Sequence, residues 1–106
     1  MRTYNEKMPL TDSQKKYLRR LGHPLHPIVL VGRQGLTANV VTELHRALND
    51  HELVKVRARV GNREARDAVL AELAGASDSE LVLQIGNVGL FYKKNNKLNK
   101  ILLPDS

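Results

Sequence analysis

The sequence contains no cysteine and no tryptophan, and its only aromatic side chains are three tyrosines and one phenylalanine. The absence of cysteine excludes disulfide bonds, a thiol nucleophile and a zinc site built on thiolates. No stretch approaches the roughly 18 apolar residues of a membrane-spanning helix, and the first residues lack the apolar stretch of a secretory signal. We therefore expect a cytoplasmic protein that does not associate with membranes.

The rest of the composition is that of an ordinary globular domain. Hydrophobic residues make up 42% and charged residues 26% of the 106 positions. A chain of this length buries roughly 60–68% of the surface that it exposes when unfolded. We find no internal repeat and no linker, so the sequence predicts one domain over residues 10–103, preceded by a flexible arm over 1–9 and followed by a short tail over 104–106.

Hydrophobic periodicity predicts the element order α-β-α-β-α-β-β, an α/β (α+β) fold with a mixed four-stranded sheet and three helices. Thr11 and Gln14 have the spacing of a capping box, and Gly22 ends the first helix. The inward positions of this helix are Tyr17, Leu18 and Leu21. Its outer face carries four cations, which are Lys15, Lys16, Arg19 and Arg20.

Two different strand patterns follow. The apolar run at 28–31 predicts a strand buried on both faces. From Leu53 to Val60 apolar and cationic residues alternate, which places Lys55, Arg57 and Arg59 on one face of a half-buried strand.

The remaining elements are predicted from caps and turns. Thr37 caps a second helix that ends near Asn49, and Asn62 opens a third helix that ends before Gly75. Glu72 interrupts the apolar stripe of this third helix, so its buried face is either narrower than those of the other helices or rotated toward Leu70. Residues 81–85 and 90–93 form a hairpin, and 101–103 dock as a short extra strand.

Acidic residues are scarce in the first part of the chain. The whole chain has 17 Lys and Arg against 11 Asp and Glu, a net charge of +6, and residues 1–60 hold 11 of the basic but 5 of the acidic residues. The excess is therefore concentrated, and a polyanion is the first partner to consider. The alternative is that the charge serves solubility alone.

A Gly-x-x-Gly pattern occurs twice, and its context separates the two copies. Gly32-Arg33-Gln34-Gly35 lies between a strand and a helix N-terminus, where free N–H groups and the helix dipole favour an anion and Arg33 adds a countercharge. The second copy, from Gly86 to Gly89, joins two strands and carries no charge, so we interpret it as a plain turn. A plain strand–helix turn is also the alternative for the first copy.

The sequence contains no clear pattern of catalytic or metal-binding residues. The four histidines do not have metal-ligand spacing, and no serine lies in a nucleophile elbow. Glu64 and Asp67 form a possible carboxylate pair, but Arg63 and Arg66 beside them favour a solvated helix face. We therefore predict no catalytic activity, no cofactor, no metal and no small-molecule substrate.

The aromatic residues distinguish between RNA-binding modules. Sheet-surface modules stack bases on several exposed aromatic side chains. Of Tyr4, Tyr17, Phe91 and Tyr92, the last two are neighbours on one strand, so at most one of them can serve as a stacking platform. The pattern instead favours recognition of the RNA backbone by a Gly-x-x-Gly loop and a cationic surface, as in KH domains.

Three blocks of residues resemble a known family. They are residues 21–37 (LGHPLHPIVLVGRQGLT), residues 51–56 (HELVKV) and the pair of segments 85–86 (IG) and 90–92 (LFY). In these blocks the chain is similar to the YhbY family, the bacterial stand-alone form of the CRM (chloroplast splicing and ribosome maturation) domain, over about residues 10–103. The resemblance implies a fold related to the C-terminal domain of bacterial translation initiation factor three.

The resemblance also implies a function. It implies binding to RNA, namely ribosomal RNA in precursors of the large ribosomal subunit, and assistance to their assembly without catalysis. The family's loop corresponds to Gly32, Arg33, Gln34 and Gly35, while Lys93 stands where relatives commonly have arginine and lacks the bidentate grip of a guanidinium. The candidate RNA-binding residues are Gly32, Arg33, Gln34, Gly35, Lys15, Lys16, Arg19, Arg20, Lys55, Arg57, Arg59 and Lys93.

We expect the protein to be a monomer. The alternative function is that of a protein-interaction adaptor, which would dock its basic face on an acidic ribosome-associated partner. An enzyme that acts on RNA is a more distant alternative, because the sequence shows no general base or metal set.

Overall fold

The computed structural model describes residues 9–98 and 100–105. It contains the predicted order of three helices and four strands: α1 (Asp12–Gly22), β1 (Pro27–Val31), α2 (Ala38–His51), β2 (Leu53–Ala58), α3 (Arg63–Ala76), β3 (Glu80–Ile85) and β4 (Val88–Tyr92). The predicted N-terminal arm, with Tyr4, lies outside the described residues except for Pro9. No helix within the described ranges is long and apolar enough to cross a membrane.

The four strands form one mixed sheet in the order β1-β2-β4-β3, which confirms the predicted fold class. β1 runs parallel to β2, and β4 runs antiparallel to both β2 and β3. We call the side of the sheet that packs against α2 and α3 the covered face, and the side that packs against α1 the open face. The sheet therefore lies between two layers of unequal size.

The covered face holds the main hydrophobic core. Its strand residues pack with buried leucines from both helices, and the cluster comprises Val29, Val31, Val40, Leu44, Leu48, Val54, Val56, Ala58, Val69, Leu70, Leu73 and Phe91. The alternation predicted for β2 is confirmed, since Val54, Val56 and Ala58 are buried while Lys55 and Arg57 point to the open face. The strand ends at Ala58, before the Val60 of the predicted range.

The open face is covered in part by α1. The predicted capping box is confirmed, because the Gln14 N–H donates to the Thr11 Oγ1 at 3.1 Å and the Thr11 N–H donates to the Gln14 Oε1 at 3.0 Å. Leu18 is fully buried in a second cluster with Leu53, Leu90, Tyr92 and Ile101. At the other end of α1, a Cβ on Gly22 would lie 2.7 Å from the Leu90 Cδ2, so the helix lies close against β4.

The prediction that β1 is buried on both faces was wrong. Val29 and Val31 are buried, but Ile28 is 58% and Leu30 is 50% exposed. β1 is an edge strand, and α1 packs over β2, β3 and β4 instead. Leu21, predicted to point inward, is likewise exposed and lines an open apolar groove with Ile28 and Leu53.

The predicted helix starts are confirmed and the predicted ends are less accurate. Thr37 and Asn62 cap α2 and α3, but α2 continues to His51 and α3 passes through Gly75 to Ala76. Ser77, and not the predicted Gly75, ends α3. Its N–H and its hydroxyl both donate to the Leu73 carbonyl, at 3.0 and 2.7 Å, and so satisfy a carbonyl of the last helical turn.

The face of α3 that packs on the sheet agrees with the prediction. Val69, Leu70 and Leu73 are buried and Glu72 is exposed, so of the two predicted alternatives the face rotated toward Leu70 is the one observed.

The hairpin is confirmed with a tighter turn than predicted. Gly86 has φ +59° and Asn87 completes a two-residue connection, whereas Gly89 already belongs to β4. A positive φ at the first central residue is typical of the primed turns that match strand twist. The second Gly-x-x-Gly copy is thus part of an ordinary hairpin, as expected.

The C-terminal segment docks on the domain, but not as a strand within residues 100–105. The carboxylate of Glu52, which is fully buried, accepts hydrogen bonds from the Asn95 N–H at 2.6 Å and from the Ile101 N–H at 2.7 Å. The Lys93 N–H donates to the Glu52 carbonyl at 2.9 Å. A side-chain acceptor therefore replaces the backbone ladder that the apolar run at 101–103 predicted.

Candidate nucleic-acid interface

The Gly32–Gly35 loop connects β1 to α2 at an exposed corner of the molecule. Gly32, Arg33 and Gln34 are exposed, and the Gly35 N–H donates to the Gly32 carbonyl at 3.0 Å to close the turn. Gly35 has φ +76°, a conformation that disfavours any residue with a Cβ. The loop therefore holds Arg33 in solvent while it turns the chain into the helix.

The helix that follows presents its N-terminus beside this loop. The Thr37 hydroxyl accepts from the Val40 N–H at 3.2 Å, so one of the first N–H groups of α2 is satisfied within the chain. The remaining N–H groups of a first helical turn carry partial positive charge and attract anions. Arg33 adds a full positive charge at the same corner.

Two further loops meet this corner. The Arg59 N–H donates to the Val31 carbonyl at 2.7 Å, and the Ala58 N–H donates to the Asn87 carbonyl at 2.7 Å. A Cβ on Gly35 would lie 3.7 Å from the Val69 Cγ2, so the loop also approaches α3. We call residues 32–37, 59–63 and 86–87 the loop end; its cations are Arg33, Arg59 and Arg63.

Cations continue from the loop end onto the open face. Arg19 of α1 and Lys55 and Arg57 of β2 line one depression, and Arg57 and Arg59 line the next one toward β1. The structure therefore brings together four predicted residues from α1, β2 and the loop after β2, which are Arg19, Lys55, Arg57 and Arg59.

Arg57 and Lys55 differ in their contacts. The Arg57 Nε is buried and has no hydrogen-bond partner among the described residues. The Lys55 Nζ donates to the His23 carbonyl at 3.3 Å, which fixes it below the end of α1. The Lys55 ammonium has three donors and so keeps two of them for a ligand, whereas the Arg57 Nε is buried and reaches a ligand only if its side chain moves.

Other predicted residues lie outside this group. Lys16 and Arg20 are exposed and Lys15 is half-buried, and none of the three lines the depression that Arg19 lines. Lys93 lies just beyond β4 at the opposite end of the sheet from the loop end, where its Nζ donates to the Ser77 carbonyl at 3.3 Å. A phosphate contact at Lys93 would thus be separate from one at the Gly32–Gly35 loop.

The prediction that at most one of Phe91 and Tyr92 can stack on a base is confirmed. Phe91 and Tyr92 lie on opposite faces of the sheet, and both are buried, so neither serves as a platform for a base. Tyr17 is half-buried and packs against the second cluster, the one that contains Leu18 and Leu90. Burial and the nearby Glu52 carboxylate raise the pKa of Tyr92 above its ordinary value of 10.0.

The charged residues that start α3 form a polar cleft. Gln84 donates to the Asp67 carboxylate at 2.5 Å, with Arg63, Arg66 and Gly86 around them. Glu64 is exposed nearby. No group of three metal-ligating side chains occurs within residues 9–98 and 100–105.

Sequence reasoning missed one feature of this surface. Ile28 and Leu30 on β1 and Ile85 on β3, which is 70% exposed, flank the cations of β2 on the open face. The sequence held no signal for the exposure of β1, because every residue of that strand after Pro27 is apolar and nothing distinguishes its two faces.

A family model described as the CRS1 / YhbY (CRM) domain matches residues 10–93. A relative from Pseudomonas aeruginosa named "Probable RNA-binding protein PA4753" is 50% identical over 95 residues, which are 90% of this chain and 91% of the relative. One from Haemophilus influenzae named "RNA-binding protein" is 35% identical over 90% of this chain and 95% of its own length. "Probable RNA-binding protein YqeI" of Bacillus subtilis is 37% identical over 90% and 99%.

The fold is also similar to a solved structure. The solution structure of the hypothetical protein SAV1595 from Staphylococcus aureus superposes with a TM-score of 0.79 at 33% sequence identity. The match covers 91% of this chain and 100% of that one.

Proposed function

Because the chain belongs to the CRS1/YhbY (CRM) domain family, we propose that it binds RNA through its loop end and the cations of its open face. The observation that carries this proposal is the exposed Gly32–Gly35 turn at the N-terminus of α2, with Arg33 in solvent and Arg59 bonded to the adjacent strand end. The names of the relatives support RNA as the ligand.

The proposed contact is to the phosphodiester backbone. Gly32, which has no neighbour within 4 Å of where a Cβ would stand, lets a phosphate approach the turn. Arg33 and Arg59 would neutralise phosphate charge, and Arg57 would donate hydrogen bonds from the open face. Because phosphates occur at every nucleotide, this contact positions the RNA and does not select a base sequence.

The biological role that we propose is assistance to assembly of the large ribosomal subunit. The protein would bind ribosomal RNA in subunit precursors as a monomer, without catalysis and without a cofactor. This part rests on the family resemblance, whereas RNA binding itself also rests on the charge and geometry of the loop end.

Charge reversal at Arg33 tests the loop. We expect Arg33→Glu to weaken binding of a labelled fragment of large-subunit ribosomal RNA about tenfold or more, which is about 1.4 kcal/mol, and to leave the thermal unfolding transition in place. Arg46→Glu is the matched control, since Arg46 is exposed on α2 and outside the proposed interface. Equal affinities for both variants would refute the loop assignment.

Salt dependence tests the kind of contact. If several phosphates are neutralised, the logarithm of the binding constant falls linearly with the logarithm of the salt concentration, with a slope of about 0.7–0.9 for each phosphate. A slope near zero would contradict recognition by charge.

The assembly role needs a test in cells. We expect the protein to sediment with large-subunit precursors in a sucrose gradient at low magnesium, and Arg33→Glu or high salt to release it. Sedimentation at the top of the gradient, or with small subunits alone, would refute the assembly role and leave the proposed RNA binding to the assays above.

A further inference from the structure

One row of side chains crosses the open face near the loop end, with one residue from each strand. Leu30 of β1 pairs with Arg57 of β2, Arg57 pairs with Val88 of β4, and Val88 pairs with Ile85 of β3. Paired residues of neighbouring strands point to the same face. Since strands lie about 4.8 Å apart, the row spans about 14 Å.

The apolar residues at the two ends of this row are exposed although they belong to the sheet, and Val88 between them is half-buried. Leu30 and Ile85 are among the most exposed large apolar side chains within the described ranges, and α1 covers the sheet only as far as Leu90 and Lys55. Leu30 adjoins the exposed Ile28, and Ile85 adjoins Val88. Adjoining exposed apolar groups are typical of interaction sites, so the row favours a ligand that also offers apolar surface.

The charge on this part of the open face has one sign. The residues that line its two depressions include Arg19, Lys55, Arg57 and Arg59, and no carboxylate is among them. A surface with cations and no carboxylate among its lining residues favours an anionic ligand.

The arrangement of charge and apolar surface distinguishes RNA from a protein partner. Protein interfaces place apolar residues at the centre and charged residues at the rim. Here the order is reversed, because Lys55 and Arg57 lie on β2, and Arg59 directly after it, with aliphatic residues on either side, Leu30 on β1 and Val88 and Ile85 on β4 and β3. An unpaired nucleic-acid strand can match this order, because its backbone is charged and its bases, whose flat faces are apolar, can turn to either side of it.

Spacing and continuity agree with this comparison. Alternate residues of a strand lie about 6.6 Å apart, a length comparable with the separation of successive phosphates in an extended single strand. Arg59 leads directly to the Gly32–Gly35 loop, since its N–H donates to the Val31 carbonyl. A strand bound along β2 would therefore continue into the loop end.

We propose that the open face binds single-stranded RNA, with the phosphodiester backbone along the cations of β2 and the bases against the aliphatic side chains of Leu30, Val88 and Ile85. This inference rests on the proposed RNA binding and adds to it the strandedness of the RNA and a contact to its bases. Aliphatic side chains take the place of the aromatic platforms that other RNA-binding sheets use. A duplex would not fit, because its bases are stacked and paired inside.

The test separates bases from phosphates. A labelled 12-nucleotide RNA of mixed sequence, the same strand annealed to its complement, and an abasic strand of equal length are titrated with the full-length protein. The variant is Leu30→Ser with Ile85→Ser, and the matched control is Leu98→Ser with Leu102→Ser, two exposed leucines of the C-terminal segment. Neither pair changes the net charge.

We expect the wild type to bind the single strand more tightly than the duplex. The open-face variant should bind the single strand about fivefold to tenfold more weakly, which is about 1 to 1.4 kcal/mol, with an unchanged salt slope. The control should stay within about twofold of the wild type. Removing the bases should weaken the wild type by a similar factor and the open-face variant no further, because the contact is already lost.

Three results would overturn the inference, and they differ from failure of the proposed function. Equal binding of single strand and duplex would refute the preference. An open-face variant that binds like the control, while Arg33→Glu is impaired, would leave RNA binding at the loop end and assign the aliphatic row to a protein partner. If the wild type binds none of the RNAs, the proposed function fails as well.

Discussion

The two ends of the sheet differ in how they use a charged side chain. At the loop end the cations are exposed, and they belong to loops that connect β1 to α2 and β2 to α3. At the opposite end, which we call the anchored end and define by Glu52, Tyr92 and residues 93–98 and 100–101, lysines are also exposed, but an acidic side chain, that of Glu52, is fully buried. A charge in solvent is available to a ligand, whereas a buried charge with fixed partners holds the chain together.

The partners of Glu52 explain why burial of its carboxylate is tolerated. Removing a carboxylate from water is costly unless hydrogen bonds replace the lost hydration. Two backbone N–H groups do so here, from Asn95 and Ile101. Asn95 in turn donates from its side chain to the Asn49 carbonyl at 2.8 Å near the end of α2. The anchored end therefore ties the C-terminal segment to α2 and β2.

The largest effect that we predict is on stability at the anchored end. Glu52→Ala leaves two N–H groups without an acceptor, at a cost of about 1–3 kcal/mol each, so the free energy of unfolding should fall by about 2–6 kcal/mol. Urea denaturation measures it, and Glu52→Gln, which keeps an acceptor, should lose less. Hydrogen exchange at the Asn95 and Ile101 amides should accelerate.

The control for this prediction is Glu43→Ala, since Glu43 is an exposed residue of α2. We expect it to change the free energy of unfolding by no more than about 0.5 kcal/mol. If Glu52→Ala were as mild as this control, the distinction between the two ends would not hold.

The second prediction concerns Gly35, one of the two glycines of the loop end that have a positive φ. Gly35→Ala places a Cβ at φ +76°, which costs about 1–2 kcal/mol, although its nearest neighbour at 3.7 Å leaves room for a methyl group. Gly32→Ala is the matched control three residues away, where no atom lies within 4 Å and the backbone is not left-handed. Because both positions have room for a methyl group, only backbone strain should lower the unfolding temperature, and Gly35→Ala should therefore unfold at a lower temperature than Gly32→Ala. Equal unfolding temperatures of the two variants would contradict the left-handed conformation assigned to Gly35.

The smallest effect is expected at Tyr92. Burial favours its neutral form and raises its pKa, so the stability that this group contributes is present below pH 10 and is lost as the pH rises through the raised value. The Tyr92 hydroxyl is buried without a hydrogen-bond partner among the described residues. Tyr92→Phe should therefore change stability at neutral pH by less than about 1 kcal/mol and reduce the loss of stability at alkaline pH.

Urea denaturation at neutral and alkaline pH measures this difference. Tyr17→Phe is the matched control, because Tyr17 is half-buried on α1, and it should keep the alkaline loss. An alkaline loss of equal size in both variants would show that Tyr92 is not its source.

Local patterns predicted much of the fold because they report local chemistry. The capping box at Thr11 and the caps at Thr37 and Asn62 depend on hydrogen bonds within three residues, and the alternation of β2 reports its two faces directly. The same holds for the Gly32–Gly35 loop, whose position between a strand and a helix was readable from its neighbours. These elements are where prediction and structure agree.

The errors occurred where a second layer decides the outcome. The burial of β1 and of Leu21 depends on how far α1 extends across the sheet, and the ends of α2 and α3 depend on what their last carbonyls bind. No periodicity within a uniformly apolar strand carries that information. The buried Glu52 is the extreme case, because its partners lie 43 and 49 residues away in the chain.

The sequence by itself determined the order of elements, the cationic character of α1 and β2, and the glycines of the loop, because each depends on neighbours along the chain. Only the tertiary structure decided that Arg19, Lys55, Arg57 and Arg59 share one surface with exposed aliphatic side chains, and that an acidic residue anchors the opposite end. The physical reason is that exposure and hydrogen bonding depend on which layers meet, and packing between distant segments sets this after the local elements have formed.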